Sequence, residues 1–461
     1  MNVATTDTAT VRGPVSGGKH GWPFAASLQD VASLGYIEEE YFLAGTASRY
    51  RDVDNSTSRR DGHWQAEVAG EAPFKTRFIV YRPRDPEKFN GTVILTWNNV
   101  TAGYDLFGAE SLEIFEGGFA LVCLTTQKVG IEGLPPVRQG LAHWDPERYG
   151  DLAIASDDYS FDIFTQAARS VGPNRQGEPD PMGGLKVKRV VALGASQSAG
   201  RLATYINAIQ PQTGALDGFI LAIYFGRGTP LEVGDTVVNI NQPTAEGAQN
   251  RITGSNLLRD DLGVPIFVVN SELEAIACYA VRQPDSDTFR YWESAGTCHV
   301  SQQVQVTRQQ LQERDSITGR PAEPGINRIP MGLLYDAVYY HMHRWLADGI
   351  APPITPRIEF AGTPPEVVRD ANGLAKGGIR LPQVEAPLAK NSAIPRDEGI
   401  IAMLGGSCDP FPADKAAAMY GSLDAYLEQF KAAANRAVEA RVLRPRDVPT
   451  LIAEARTHWP A

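Results

Sequence analysis

The sequence predicts a protein of the α/β class, with a mainly parallel central sheet and an antiparallel N-terminal part. Three observations predict it. Apolar runs without polar alternation, which read as strands buried on both faces, alternate with helical patterns from about residue 90 to 210, as in right-handed βαβ units. Shorter segments with period-two alternation precede them, at Trp64–Val68 and Phe74–Arg82. The stretch Arg189–Ala208 passes from a buried strand to a helix through Gly194-Ala195-Ser196-Gln197-Ser198-Ala199-Gly200.

Taken in order, Met1 to about Ser27 reads as a poorly ordered, flexible leader. Gly35–Ala47 gives short apolar segments ending in a glycine turn, and joins the two alternating segments as a hairpin-rich antiparallel part. Gly91–Gly103 is a buried strand followed by a polar loop, Leu112–Phe115 has helical spacing, and Phe119–Leu124 is a second buried strand. Asp157-Asp158 caps a helix whose apolar face is Tyr159, Ile163, Phe164, Ala167 and Val171. Gly218–Phe225, Val264–Asn270 and Phe289–Ser294 are further strands. The polar stretch of about 226–261 is too long for a plain connection and reads as a small lid. Gln302–Arg314 and Leu333–Ala347 read as helices. Residues 350 to about 410 are rich in Pro and Gly and show no independent strand set; helices return over Ala413–Val442 and Val448–Ala455. The expected organisation is a leader (1–27), a core (28–349) and a wrap with C-terminal helices packed on that core (350–461).

The strand-to-helix stretch carries the chemistry. A serine at a sharp turn after a strand needs small residues two positions to either side, because backbone approaches backbone there. Gly194 and Ser198 supply them for Ser196, with serine in place of the usual second glycine. A second frame centres on Ser198, between Ser196 and Gly200. A serine hydroxyl is a weak nucleophile and needs a base, which in turn needs an orienting acid. After an elbow these follow in chain order as acid and then histidine. The acid is Glu274, in Val268-Val-Asn-Ser-Glu-Leu-Glu274, with Glu272 as the alternative and Asp235 as a weaker third choice. The histidine is His299, about 25 residues further on, after a strand and a Gly-containing turn. His63 and His143 precede the elbow, His341 and His343 lie in a helical pattern, and His20 and His458 lie near the ends of the sequence. Donors for an oxyanion are the backbone N–H of Gln197 and one from the loop Asn98-Asn99-Val100, with Val100, or else Asn99, assigned by position alone. The asparagine side chains serve equally well as loop braces. Tyr104, Phe107, Trp144, Tyr224 and Phe225 lie near strand ends, as core residues or as pocket lining; Asn99, Tyr104 and Tyr224 are the substrate-binding candidates.

These segments resemble a family of bacterial α/β-hydrolase-domain proteins of similar length. The family carries a Gly-x-Ser-Gln-Ser elbow, a Gly-Tyr-x-x-Glu-Glu segment followed by Gly-Thr-Ala, and an Ala-Gly-x-x-His segment. Here these are Gly194–Ser198, Gly35–Glu40 with Gly45–Ala47, and Ala295–His299. The resemblance implies the α/β-hydrolase fold and a serine esterase-like site, and says little about substrate.

Composition bounds the alternatives. The net charge of −11 argues against a nucleic-acid or anionic-membrane partner. Four cysteines without metal-ligand spacing read as buried thiols, with a Cys278–Cys298 bridge left open. No stretch has signal-peptide or membrane-span character, so a soluble cytoplasmic protein is expected. No phosphate loop, dinucleotide fingerprint or zinc spacing is present, and no cofactor or metal is expected. The resulting expectation is a serine hydrolase acting on a carboxylic ester, lactone or amide of a mainly apolar small molecule. Its rivals are an acyltransferase with the same triad and a non-catalytic binding protein on the same fold. Oligomeric state stays open.

Overall fold

A computed structural model describes residues 9–106, 111–234, 255–319, 324–396, 398 and 400–460. The chain divides into two compact units. The first holds residues 1–266, 281–283 and 315–318; the second holds 267–280, 284–314 and 319–461. The division therefore runs through the stretch expected to form one core, and the segment after residue 350 shares a unit with the last strands of that stretch.

The first unit contains β1 (Thr10–Arg12), β2 (Tyr36–Asp52), β3 (Ala66–Pro83), β4 (Thr92–Trp97), β5 (Ala120–Leu124), β6 (Arg189–Ala195) and β7 (Gly218–Ala222). Their order in the sheet is β1-β2-β3-β5-β4-β6-β7. β4 runs parallel to β5 and β6, and β6 parallel to β7; the pairs from β1 to β5 are antiparallel. Every residue of β4, β5 and β7 is buried, which explains their unbroken apolar runs. The helices are α1 (Leu112–Glu116), α2 (Lys128–Glu132), α3 (Leu141–Trp144), α4 (Pro146–Tyr149), α5 (Ser160–Val171), α6 (Gln197–Thr204) and α7 (Gln210–Thr213), the last two joined by a π-helical turn over Tyr205–Ile209. α5 packs by aromatic contact: the Trp97 ring lies 5.6 Å from Phe161 and 4.9 Å from Phe164. Such pairs add about 0.5–1.5 kcal/mol each beyond the area they bury.

Several expectations need correction here. The glycine turn within Gly35–Ala47 is absent: Gly45 lies inside β2, which runs for 17 residues against β3. Trp64–Val68 and Phe74–Arg82 are not two strands, because one 18-residue strand takes in Gly70 and Pro73. A register shift at Arg49/Tyr50 accompanies this, as a bulge absorbs what a turn would otherwise have to. Asp157 and Asp158 do not cap their own helix. Ser156 Oγ caps that turn, and the two carboxylates bind other segments instead. Residues 9–27 are not a loose leader. β1 pairs with β2, Phe24 is fully buried, and Trp22 Nε1 donates to Asp315 Oδ1 at 2.8 Å. Most of the expected lid, from 235 to 254, and with it Asp235, lies outside the described residues, as does Phe107.

A buried charge cluster holds that N-terminal segment. Arg77 on β3 is 1% exposed. It donates to Phe24 O (3.0 Å), Glu40 Oε1 (3.3 Å), Asp105 Oδ2 (3.0 Å) and Thr125 Oγ1 (3.1 Å). Burial works against its charge, but Asp105, Tyr149 and Glu40 outweigh it and raise the Arg77 pKa. Arg148 Nε and Tyr149 OH complete the shell of Glu40, at 2.6 and 2.8 Å.

The second unit contains β8 (Ile266–Ser271, from Phe267 on), α8 (Glu272–Cys278), β9 (Phe289–Ser294), α9 (Gln302–Arg314) and α10 (Gly332–Asp348). After residue 350 come two hairpins that sequence periodicity did not reveal: β10 (Phe360–Ala361) with β11 (Glu366–Val367), and β12 (Ala389–Ser392) with β13 (Ser407–Pro410). Strands of two to four residues are too short to show a period. α11 (Pro382–Glu385), α12 (Ile400–Gly405), α13 (Ala413–Tyr420), α14 (Leu423–Glu439) and α15 (Val448–Thr457) complete the unit. The segment after 350 extends β9: Ile379 N–H donates to Glu293 O at 2.7 Å and Ala295 N–H to Ile379 O at 2.9 Å. Trp292 Nε1 also reaches Pro353 O, at 2.9 Å. All four cysteines are free and buried, so Cys278 and Cys298 form no bridge. Among the described residues no helix is long and apolar enough to cross a membrane, and no group of three His, Cys, Asp or Glu is arranged to hold a metal ion.

His341 on α10 is buried, with Nε2 2.8 Å from Arg441 O. Burial lowers its pKa to about 4; the bond to Arg441 O opposes this, and the charges of Arg441, Arg444 and Arg344 add to it. A histidine whose folded pKa lies below its unfolded value stabilises the fold above the unfolded pKa, and that stability is lost as pH falls towards the folded one. The melting temperature should therefore drop as pH falls from about 6.5 to 4. His341→Gln, which keeps a donor for Arg441 O, should flatten that drop in a pH series of thermal melts.

Candidate active site

In the first unit, Ser196 is the single residue between β6 and α6, with φ 61° and ψ −117°. A side chain in this region costs roughly 1–3 kcal/mol, so its neighbours must hold it there. Ser196 N–H donates to Ala222 O on β7 at 3.0 Å, and Ser196 O accepts from Gly200 N at 3.2 Å. Gly194 permits the turn: a Cβ there would lie 2.6 Å from the Ser198 carbonyl oxygen. The Ser196 side chain is partly exposed and makes no capping bond to its own helix. Ser198 is the second residue of α6, fully buried, and its Oγ has no hydrogen-bond partner among the described residues. The second frame therefore has no hydroxyl open to a substrate.

Gln197 opens α6, so its N–H has no acceptor within the helix. Its side chain donates to Gln127 Oε1 at 3.2 Å. Gln127 in turn donates to Asp157 Oδ2 at 2.6 Å, and Arg201 Nη2 reaches the same oxygen at 3.1 Å. Burial lowers the pKa of Arg201, against the pull of Asp157 and Asp158. This brace is invisible in sequence, because a helical arginine ordinarily reads as a solvated face.

The loop after β4 is closed by Asn99 and Leu106, which exchange backbone hydrogen bonds of 2.6 and 2.7 Å. The Asn99 N–H is thereby used, which removes it as an oxyanion donor. Its side chain is also committed: Nδ2 donates to Ala195 O at 3.2 Å, and Oδ1 accepts from Thr101 N and Oγ1 at 2.9 and 2.7 Å. Asn99 is thus a brace between this loop and the end of β6. Among the described residues no hydrogen bond uses the Val100 N–H, while the Val100 side chain packs with Val129 and Leu134. Asp105 Oδ2 ties the loop to Arg77, Asn98 and Thr125. Tyr104 and Tyr224 are both buried, at 5% and 3% exposure, and the Tyr104 ring meets Phe24 edge-on at 6.2 Å; both belong to the packing. Trp144 stacks on His20 with ring centroids 3.8 Å apart.

In the second unit, His299 Nδ1 lies 2.7 Å from Glu274 Oε1, and both residues are buried. A carboxylate accepts, so Nδ1 carries the hydrogen and Nε2 is the basic nitrogen of the ring. Glu274 is the third residue of α8, and its other oxygen closes a capping box with Ser271 N at 3.1 Å and Ser271 Oγ. Both carboxylate oxygens are therefore fixed. Glu272 is engaged elsewhere: its oxygens accept from Gly296 N (2.8 Å) and Arg369 Nη2 (2.7 Å). The carboxylate on the imidazole is Glu274, and the alternative acid is a scaffold group. Beside the pair, burial pushes the Cys298 thiol pKa well up, so it stays protonated.

A serine at a positive-φ elbow after a parallel strand, in a chain that also holds a carboxylate-bound histidine, belongs to the α/β-hydrolase class of site. The chain is a member of that family: a model of the alpha/beta hydrolase domain matches residues 11–453. No curated protein matches the chain. Among solved structures, esterase Est22 with p-nitrophenol is similar at 12% identity, over 52% of this chain and 65% of its own, with a TM-score of 0.26. Brefeldin A esterase, described as a bacterial homologue of human hormone sensitive lipase, is 13% identical over 51% of this chain and 63% of its own, with a TM-score of 0.25. A PNB esterase is 13% identical over 46% and 51%, with a TM-score of 0.24. The match spans less than two thirds of the length of each of these proteins.

The strain at Ser196 is measurable. Ser196→Gly should raise stability by about 1 kcal/mol, because glycine occupies positive φ without cost. Ser198→Ala should leave stability unchanged or slightly raised, since it removes a buried hydroxyl that has no partner. Thermal or urea unfolding of the two variants checks both.

Proposed function

We propose that the protein is a serine hydrolase that cleaves a small-molecule carboxylic ester through an acyl-enzyme on Ser196. The observation that carries this reading is the strained elbow, which holds one serine partly exposed at the end of β6. The bond between Glu274 and His299 supports it, because it leaves an imidazole with a basic Nε2.

In the proposed reaction His299 Nε2 takes the Ser196 proton as Oγ attacks the ester carbonyl. The negative charge formed on the carbonyl oxygen is met by the N–H groups of Gln197 and Val100. Collapse of this intermediate breaks the C–O bond to the alcohol, which leaves with the proton from His299 and forms the acyl-enzyme. Water then gives its proton to His299, attacks the acyl carbon and releases the carboxylic acid; the proton returns to Ser196. Glu274 holds the ring in one tautomer and stabilises its charged form. The four free, buried cysteines support a reducing, cytoplasmic setting as part of the same proposal.

The experiment is labelling with a fluorophosphonate, with peptide mapping, alongside hydrolysis of p-nitrophenyl esters of increasing acyl length. Label is expected on Ser196. Ser196→Ala and His299→Ala should each lose about 10³-fold or more in kcat, and Glu274→Gln about 10²-fold or more. A folded protein that takes no label and hydrolyses no ester overturns the reading. Label on Ser198 overturns the assigned nucleophile.

A further inference from the structure

We propose that Glu272 and Asn327 are positioning residues for His299, acting through the loop that carries it. The proposal rests on the reading of His299 as the catalytic base. It concerns only the second unit, where all the residues involved lie.

The His299 loop leaves β9 at Ser294 and enters α9 at Gln302. Its turning point is Gly296, at φ 70°, where a Cβ would lie 3.0 Å from Val384 Cγ2 and 3.4 Å from Ile329 Cδ1. Buried side chains hold both polar groups of Gly296. Its N–H donates to Glu272 Oε2 at 2.8 Å, and its carbonyl accepts from Asn327 Nδ2 at 2.7 Å. Glu272 and Asn327 are both fully buried.

Asn327 also holds the far end of the loop. Its carbonyl accepts from Gln302 N–H at 2.8 Å. One residue thus fixes positions three before and three after His299. Asn327 is itself anchored: its N–H donates to Gly405 O at 3.0 Å, and its Oδ1 accepts from Ile329 N at 2.9 Å. Glu272 is anchored through Oε1, by Arg369 Nη2 at 2.7 Å and Ala393 N at 3.5 Å. Between the two grips, Val300 N–H donates to Leu404 O at 3.0 Å. The segment after residue 350 therefore supplies groups that set where the imidazole sits. Glu274, two residues past Glu272 on α8, meets the ring directly. A shift of the loop changes the distance between ring and carboxylate, and catalysis is sensitive to displacements of about 1 Å.

The test uses the full chain, p-nitrophenyl acetate as probe, and thermal melts to establish folding. Glu272→Ala and Asn327→Ala should each lower kcat about 10-fold or more, with KM within about twofold of wild type. Glu272→Gln keeps an acceptor for the Gly296 N–H and should restore kcat to within about threefold. A carboxylate acting directly on the imidazole would not be replaced by an amide. Should the alanine variants fail to fold, Arg369→Met frees Glu272 on one side only and should show the same split, with kcat down about threefold. Folded variants with kcat at the wild-type level overturn the proposal, as does a change confined to KM, or a Gln variant as impaired as the Ala variant. His299→Ala separates the two readings. If it is inactive while the clamp variants are unimpaired, the clamp alone falls; if it is fully active, the catalytic reading falls and takes the clamp with it.

Discussion

A chain that leaves a buried parallel strand and starts a helix within one residue needs a positive φ at that residue. In this protein the residue is Ser196, held by bonds from β7 and from the loop after β4. The bond from Ser196 N–H to β7 fixes it from one side, and Asn99 holds the carbonyl of the preceding residue from the other. Behind α6, Gln127, Asp157 and Arg201 brace Gln197. A strain of roughly 1–3 kcal/mol is a large share of a typical net stability, so it persists only where the surroundings over-determine it.

The second unit solves a different problem. An imidazole keeps its basic nitrogen in one fixed position only if one tautomer is kept, and an immobile carboxylate on the other nitrogen keeps it. Glu274 is immobile because the helix start it caps uses its second oxygen. The same short segment places Glu272 on the His299 loop. Two glutamates in the pattern Glu-Leu-Glu thus have separate tasks, set by which way each leaves the first turn of α8.

Much of this was legible in the sequence. The buried strands β4 to β8 announced themselves by apolar runs, and the elbow by small residues around Ser196. The order of serine, acid and histidine pointed to Glu274 and His299. What stayed hidden has physical reasons. Period-two patterning says where a strand faces but not how long it is, so β2 and β3 looked like fragments interrupted by Gly45 and Gly70. The first 27 residues look disordered by composition, yet Phe24 and the Arg77 cluster give residues 9–27 a fixed place. Asn99 showed its role only through the partner it reaches, Ala195, 96 positions away in sequence. Asn327 and Arg201 belong to residue types that read as solvated until their partners are seen.

The grip of one asparagine on both ends of the His299 loop bears on how such a chain can be recombined. Shuffling of related genes succeeds where a crossover separates few contacts. A crossover anywhere between Gln302 and Asn327 would take the loop from one parent and its anchor from another. The same holds between Gly296 and Arg369, which the Glu272 carboxylate links. On this clamp the stretch from Glu272 to Gly405 is inherited best as one block, although its helices look separable when drawn as a topology.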